Sequence, residues 1–390
     1  MKIALFHNLP SGGALRAAFN FVKYITGEGH ICDIFTASSA DTDFMPFKSI
    51  ARSVKIFHVK KGIFNIRSLL PGGVSLKCLE NLQKKIAREI DGGNYDFVFI
   101  EQDRFTFSPF LLKYINSPNI YYCPQPYGFH EAKIMEVSSK AGIAADFRNI
   151  IKRAFYSNCL SIDRENARFA KHILTNSHFS RSNINKCYGR QAQVCYLGVD
   201  MELFRPLNYD KSNFVISVGR CTPAKGFDFI INSLGLIKKE YRPDLIIVSD
   251  IIAAFWKKYL IRLAAKNNVS IKIKSRIGDS ELVNLYNRAR LCVYAPYQEP
   301  FGLAPVEAMA CGTAVVAVRE GGVAESIING KTGYLAERNE SIFADTIFNV
   351  ISDSGLRDRL ETAGIASVRE RWSSIHAGRR VVEYAQAAFK

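Results

Sequence analysis

One stretch of fourteen residues decides the fold: EPFGLAPVEAMACG at positions 299–312, which follows the apolar run LCVYAP at 291–296. Pro305 suits the first turn of a helix, where its missing N–H removes no hydrogen bond. Gly312 suits the position just beyond a helix end, where left-handed backbone is common. The stretch therefore predicts a strand, a short turn and a short helix, which is the repeating unit of a parallel α/β sheet.

The same alternation of apolar runs and helical stretches extends along the whole chain and predicts two doubly wound α/β domains. We assign residues 1–205 to the first domain and 206–372 to the second, with a helix at about 373–390 packing back on the first. In open sheets of this kind ligands bind beyond the carboxyl ends of the strands, so we expect the site in a deep cleft between the domains. The predicted strands are KIALF, HICDIFTA, YDFVFIEQ, NIYYCPQP and HILTNS, then NFVISVGR, PDLIIVSD, SIKIKS, LCVYAP and TAVVAV.

The composition is that of a folded, strongly basic protein. The 390 residues carry a formal charge of +16, and residues 1–198, with 26 basic and 15 acidic side chains, account for +11 of it. A basic field attracts anionic partners, although solubility alone also explains the charge.

The nine cysteines form no C-x-x-C pair and several lie in apolar runs, which favours buried thiols in a reducing cytosol. No apolar stretch is long enough to span a membrane. We therefore expect a cytoplasmic protein, with a peripheral position at the inner face of the membrane left open.

Three segments carry candidate binding residues. Around Gly302 and Leu303, backbone N–H groups at a helix N-terminus would hold a diphosphate, and Phe301 precedes them. Glu299 and Glu307 would accept hydrogen bonds from sugar and ribose hydroxyls, unless they are simply acidic charges that favour a helix N-terminus.

The second segment is VGRCTPAKG at 218–226, where Gly219 allows close backbone approach. Arg220 and Lys225 supply two cations for a diphosphate leaving group, although loop cations are often only solvated. The third is the pair Gly12 and Gly13 after the first strand, which permits close approach to a phosphate or sugar. It is neither a G-x-G-x-x-G fingerprint nor a P-loop.

These segments together resemble the retaining glycosyltransferases of family 4, which have the GT-B fold of two Rossmann-like domains facing across a deep cleft. EPFGLAPVEAMACG resembles their E-x7-E motif, VGRCTPAKG their G-R…K-G loop, and Ser11-Gly12-Gly13 their N-terminal glycine loop. The resemblance covers essentially the whole chain and is most specific in the second half.

The resemblance implies that Glu299 contacts the transferred sugar, Glu307 holds the ribose, and Arg220 and Lys225 bind the diphosphate. It also implies a UDP- or GDP-sugar donor whose base lies near residues 274–278, a glycan or lipid-linked saccharide acceptor, no cofactor and no metal ion. Asp41-Thr42-Asp43 matches the D-x-D metal motif of other glycosyltransferases, but we interpret it as a turn.

The sequence departs from the family at one position. Many relatives carry a histidine in a Cys-His-x-Pro context, where this chain has Cys123-Pro124-Gln125-Pro126. His130 lies a few residues further on and is our candidate for the missing group in the first domain. A structural or solvated histidine is the alternative.

Two other classes of function stay open. A GT-B phosphorylase or a sugar-nucleotide epimerase would use the same phosphate site, and a basic, non-catalytic scaffold would account for the charge. We find no nucleic-acid-binding motif, so nucleic acid is not an expected partner. An anionic membrane surface is an expected partner, because the first domain contains a basic run accompanied by apolar residues. The basic residues of this run are Lys48, Arg52, Lys55, Lys60, Lys61 and Arg67.

Overall fold

The computed structural model describes residues 1–59, 69–70, 74–127 and 148–389, and it divides them into two compact units. The first unit contains the described residues up to 196 together with 377–389, and the second contains residues 197–376. Each unit is built around one parallel sheet. Among the described residues, no helix combines the length and apolar character that crossing a bilayer requires.

The sheet of the first unit has seven parallel strands in the order β3-β2-β1-β6-β7-β8-β9. A short antiparallel pair, β4 and β5, stands apart from it. The strands are β1 (Lys2–Asn8), β2 (Ile31–Ala37), β3 (Ser53–Phe57), β4 (Leu69–Leu70), β5 (Val74–Ser75), β6 (Phe97–Asp103), β7 (Asn119–Tyr122), β8 (His172–Thr175) and β9 (Gln193–Val194). The helices between them are α1 (Gly13–Gly27), α2 (Leu76–Asp91), α3 (Arg148–Ala167) and α4 (His178–Tyr188).

The sheet of the second unit has six parallel strands in the order β12-β11-β10-β13-β14-β15. The strands are β10 (Ser212–Val218), β11 (Asp244–Ser249), β12 (Ile271–Ser275), β13 (Ala289–Tyr294), β14 (Val315–Val318) and β15 (Tyr334–Ala336). The helices are α5 (Phe227–Leu236), α6 (Ala254–Lys266), α7 (Asp279–Arg288), α8 (Leu303–Ala310), α9 (Val323–Ser326), α10 (Glu340–Ser352) and α11 (Ser354–Ser367).

The inner strands of both sheets are buried on their two faces, which explains why they appear in the sequence as continuous apolar runs. Strand β14 is fully buried along Val315–Val318, and β1 is buried at six of its seven positions. All ten predicted strands are present. Strands β3, β15 and the two-residue strands were not predicted, because β3 carries the exposed Lys55 and the others have three residues or fewer.

The last helix, α12 (Ser374–Ala388), follows a π-helical turn at Val368–Trp372 and is separated from it by the extended residue Ser373. From residue 377 onward it belongs to the first unit. Gly378 lies against the ring of Tyr24 in α1, and the hydroxyl of Tyr384 lies 3.0 Å from Nδ1 of His172. Phe389 stacks on Phe97 of the central strand β6.

The boundary between the units differs from the predicted one at 205/206, because residues 197–205 lie in the second unit. Val199 pairs with Ser373, and the ring of Phe204 packs edge-on against Tyr286. The carbonyl of Arg205 accepts a hydrogen bond from the side-chain amide of Asn287. These contacts fix the segment to the second unit before its first strand begins.

In each sheet the strand order reverses beside the first strand of the unit. The chain adds strands on one side of β10 and then returns to its other side with β13, and β1 and β6 are related in the same way. Loops that leave such neighbouring strands diverge and leave a crevice at the carboxyl edge, where ligands bind in open α/β sheets. The two loops of interest in the second unit follow β10 and β13.

Candidate functional site

The quoted stretch leads into the predicted helix, α8, but the connection from β13 is a loop over residues 295–302 rather than a short turn. Gly302 precedes the helix with φ +88°, Pro305 lies in its first turn, and Gly312 follows its end with φ +69°. A side chain on Gly302 would press on Val323 at 3.0 Å and on Tyr294 at 3.1 Å, so both backbone and space require glycine.

The N-terminus of α8 lies at the carboxyl edge of the sheet and has no capping side chain, because its N-cap residue is Gly302. The first-turn amides, beginning with Leu303, are therefore groups that can bind an anion. The side chain of Phe301 is buried against Trp372, with ring centroids 5.6 Å apart, which leaves its backbone as the part that can serve a ligand.

The structure brings Lys225 and Glu299, residues from two different segments, into direct contact. The ammonium of Lys225 lies 2.5 Å from Oε2 of Glu299, and both side chains are largely buried, at 21% and 16% exposure. The buried hydroxyl of Tyr294 also bonds to Glu299, and burial together with this carboxylate raises the Tyr294 pKa well above its usual range. Glu299 is thus held between a cation and a phenol that stays protonated.

Backbone contacts hold the loops that carry these two side chains together. The amide of Tyr297 donates to the carbonyl of Ala224 at 2.9 Å. Gly226, with φ +64°, lies so close to the carbonyl of Ala295 that a Cβ would be 2.0 Å from that oxygen. The loop after β10 and the loop after β13 therefore form one rigid corner at the point where the strand order reverses.

Arg338 supports this corner from the side. This role of Arg338 was not predicted from the sequence. Its guanidinium donates to the carbonyls of Ala295 and Pro296, lies 3.9 Å from the ring centroid of Tyr297, and forms a forked ion pair with Glu320. An arginine with five donors in a plane suits this task, since it satisfies carbonyls and a carboxylate together. No motif in the sequence signals it.

The Gly321-Gly322 pair holds the backbone of Glu299 from the other side. The amide of Gly322 donates to the carbonyl of Glu299 at 2.8 Å, and a Cβ on Gly321 would lie 2.3 Å from that oxygen. The sequence EGG at 320–322 carries a visible signal, because two adjacent glycines after a strand often mark close backbone approach.

The other members of the predicted cationic loop occupy different positions. Gly219 donates its amide to the carbonyl of Val248, and the aliphatic stem of Lys225 covers it, at 3.4 Å from the position a Cβ would take. The glycine thus makes room for the lysine that reaches Glu299. Arg220 follows as an exposed residue at the carboxyl end of β10.

Glu307 lies in the second turn of α8 and is 6% exposed. The hydroxyl of Tyr286 donates to its Oε2 at 2.9 Å, and burial with this carboxylate raises the Tyr286 pKa well above its usual range. Because α8 has no acidic residue in its first turn, the alternative explanation as a helix-dipole charge is wrong for Glu307. Its orientation is fixed by Tyr286 instead.

In the first unit, the glycine pair lies at the carboxyl end of β1. Gly12 adopts φ +126° as the N-cap of α1, and Gly13 begins the helix. Nearby, buried Asp103 accepts hydrogen bonds from Asn8 at 2.7 Å and from Gln83 at 2.8 Å. The bond from Asn8 ties the ends of β1 and β6 together at the second reversal of strand order, and the bond from Gln83 joins α2 to them.

Two buried titratable groups lie on these same strands. Burial raises the pKa of Glu101 to about 8 and lowers that of His7 to about 4, so both are neutral in mildly acidic solution. The loop with Asp41 is a turn, as predicted, since Oδ1 of Asp41 accepts from the amides of Asp43 and Phe44. His130 lies outside the described residues, and its assignment stays a prediction.

The part of the chain that matches a known protein family lies within the second unit. Residues 200–367 match the family described as "Glycosyl transferases group 1". This range contains Arg220, Lys225, Glu299 and Glu307 and covers less than half of the chain. The second unit is therefore similar to the domain that this family shares.

Two of the curated relatives match parts of the chain at 29% and 30% identity, and the chain spans about half the length of each. An uncharacterized glycosyltransferase of Methanocaldococcus jannaschii is 29% identical over 194 residues, which are 49% of this chain and 53% of that protein. A D-inositol 3-phosphate glycosyltransferase of Arthrobacter sp. is 30% identical over 177 residues, or 41% of this chain and 42% of that protein.

Solved structures match over the whole chain and define the fold. Anabaena HepE in complex with UDP and glucose aligns with a TM-score of 0.76 at 20% identity, covering 99% of this chain and 100% of that one. WaaG, a glycosyltransferase involved in lipopolysaccharide biosynthesis, aligns with a TM-score of 0.73 at 14% identity, covering 98% and 99%. The chain has the GT-B fold, with two Rossmann-like α/β domains.

Substitution of Gly226 tests whether the close approach of the two loops is essential. Gly330→Ala is the matched control, because Gly330 also has positive φ but a Cβ there meets nothing within 4 Å. The control should lose only the strain of left-handed backbone, about 1 kcal/mol. Gly226→Ala should lose at least about 2 kcal/mol more, because a carbonyl oxygen must also move.

Urea unfolding followed by tryptophan fluorescence measures this difference. Both tryptophans, Trp256 and Trp372, lie in the second unit, so the signal reports its unfolding. Equal losses in the two variants would show that the loops are not held together through Gly226.

Proposed function

We propose that this protein is a glycosyltransferase of family 4 that transfers a hexose from a nucleoside diphosphate sugar and retains the anomeric configuration. The Lys225–Glu299 pair supports this most directly, because it lies where the strand order reverses, beside the uncapped N-terminus of α8. A cation, a carboxylate and free amides together fit the leaving diphosphate and the hydroxyls of a sugar. Glu299 and Glu307 have the spacing of the E-x7-E motif.

The ion pair also suggests how the donor enters. An incoming diphosphate offers Lys225 a stronger anionic partner than one carboxylate, so Lys225 turns to the phosphate and Glu299 is released toward the sugar hydroxyls. Arg220, exposed on the same loop, adds a second positive charge. Negative charge on the leaving diphosphate grows as the glycosidic bond breaks, and fixed cations stabilise that charge.

Glu307 takes the ribose in this scheme. Its carboxylate is buried and oriented by Tyr286, so it can accept hydrogen bonds from a diol without reorganising. The nucleobase would lie by residues 274–278, where Lys274 already pairs with Glu281 at 2.5 Å. Because the charge of Lys274 is already paired with a carboxylate, the backbone of that segment would distinguish a UDP-sugar from a GDP-sugar.

The acceptor in this proposal is a glycan or a lipid-linked saccharide that binds to the first unit. All nine cysteines are free thiols, which is consistent with a cytoplasmic location. A phosphorylase or an epimerase would use the same phosphate site. Incubation with donor alone separates the epimerase, which needs no acceptor, and NMR of the product's anomeric centre tests retention.

Exchange of each glutamate for glutamine should give distinct kinetics. Glu299→Gln removes the charge beside the reacting carbon and should lower kcat by about 100-fold with a smaller change in donor KM. Arg220→Ala should behave in the same way, because diphosphate charge grows in the transition state. Glu307→Gln should mainly raise donor KM, because its contacts hardly change during the reaction.

Release of nucleotide from a panel of UDP- and GDP-sugars measures these effects, after thermal melts have shown that each variant is folded. Glu340→Gln is the control, since Glu340 bonds to Asn232 away from the site. Nearly full kcat in folded Glu299→Gln and Arg220→Ala with every donor would place the catalytic site elsewhere.

We further propose that transfer needs no divalent metal ion, because Arg220 and Lys225 supply the positive charge that a metal would bring. Activity should then be unchanged after dialysis against EDTA. Loss of activity in EDTA followed by recovery with Mg²⁺ or Mn²⁺ would contradict this assignment of the two cations.

A further inference from the structure

The outer helix and edge strand of the second unit form a surface of one charge sign. Residues 251–276 contain seven basic side chains and no acidic one. They span α6 and β12, and β12 is the edge strand of its sheet. The basic residues are Lys257, Lys258, Arg262, Lys266, Lys272, Lys274 and Arg276.

Six of these seven cations are exposed, and Lys274 pairs with Glu281. Within the part of the chain that the structure describes, none of the six exposed cations forms an ion pair with a carboxylate. The basic run predicted in the first domain differs, since Arg52 pairs with Asp33 and Lys55 with Glu89. Lys60, Lys61 and Arg67 lie outside the described residues.

Large apolar side chains are exposed among these cations. Ile251, Phe255 and Ile261 are 41%, 51% and 46% exposed, while Trp256 and Leu260 on the other side of α6 are fully buried. The helix is thus anchored in the core by one face and presents cations mixed with apolar groups on the other. A soluble polyanion would complement only the charges, whereas an anionic bilayer complements both features.

The surface adjoins the loop that carries Arg220. The carbonyl of Ile251 accepts a hydrogen bond from the amide of Cys221 at 2.9 Å, and Ile252 pairs with Cys221. The N-terminal end of α6 therefore lies at the same sheet edge as the candidate site.

We propose that α6 of the second unit, together with residues 271–273 of β12, forms a docking surface for an anionic lipid bilayer. Cations along α6 face the lipid phosphates, and Phe255 and Ile251 enter the headgroup region. This goes beyond the proposed function and does not depend on it.

Vesicle co-sedimentation of the full chain tests the proposal. The protein should sediment with vesicles of phosphatidylcholine mixed with phosphatidylglycerol, but not with phosphatidylcholine alone, and high salt should release it. The triple variant Lys258→Gln, Arg262→Gln, Lys266→Gln should bind roughly 100-fold more weakly. The matched control Lys331→Gln, Arg359→Gln, Arg369→Gln removes three exposed cations of the same unit and should bind within a few-fold of the parent.

Phe255→Ser separates a bilayer from other polyanions, because it leaves the charge unchanged. It should weaken vesicle binding by about tenfold and leave retention on heparin unaltered. The proposal is overturned if the α6 triple variant and the control bind vesicles equally well, or if the parent binds heparin but not anionic vesicles. Thermal melts confirm that each variant is folded, and none of the substituted residues is in the proposed donor site.

Discussion

The close approach of Gly226 to the carbonyl of Ala295 is the constraint on which the candidate site depends. It joins the loop after β10 to the loop after β13, and the hydrogen bond from Tyr297 to Ala224 reinforces it. Lys225, next to Gly226, is thereby placed 2.5 Å from Glu299. Together these contacts join two loops that are otherwise separate, and they set the distance between the two side chains.

The fold could be predicted from the sequence because the sheets are parallel and covered on both faces. Strands such as Val315–Val318 must then be continuously apolar, and the turns between strand and helix need glycine or proline at fixed places. Gly302, Pro305 and Gly312 are such residues, and all three have the predicted positions in the structure. Of the strands that were missed, β3 carries the exposed Lys55, and β3, β9 and β15 each lie at a sheet edge, where the apolar signal is weaker.

The site was predictable as a set of residues but not as an arrangement. Glu299 and Lys225 are separated by 74 positions, and nothing local indicates that they pair. Arg338 is less visible still, since its partners are backbone carbonyls, the distant Glu320 and two aromatic rings, and none of these contacts follows from a motif. Burial of Glu307 against Tyr286 likewise requires the tertiary structure. What the sequence does show is the spacing of the two glutamates, Glu299 and Glu307, which matches the E-x7-E motif.

The proposed chemistry requires that the corner of the second unit bind a diphosphate through Lys225. Titration calorimetry of the parent and of Lys225→Met with UDP, GDP and the corresponding nucleosides tests this most directly. We expect one of the two diphosphates to bind at least tenfold more tightly than its nucleoside, and we expect Lys225→Met to remove most of this difference. If neither diphosphate binds better than its nucleoside, or if Lys225→Met binds the diphosphate as the parent does, the donor site is not at this corner.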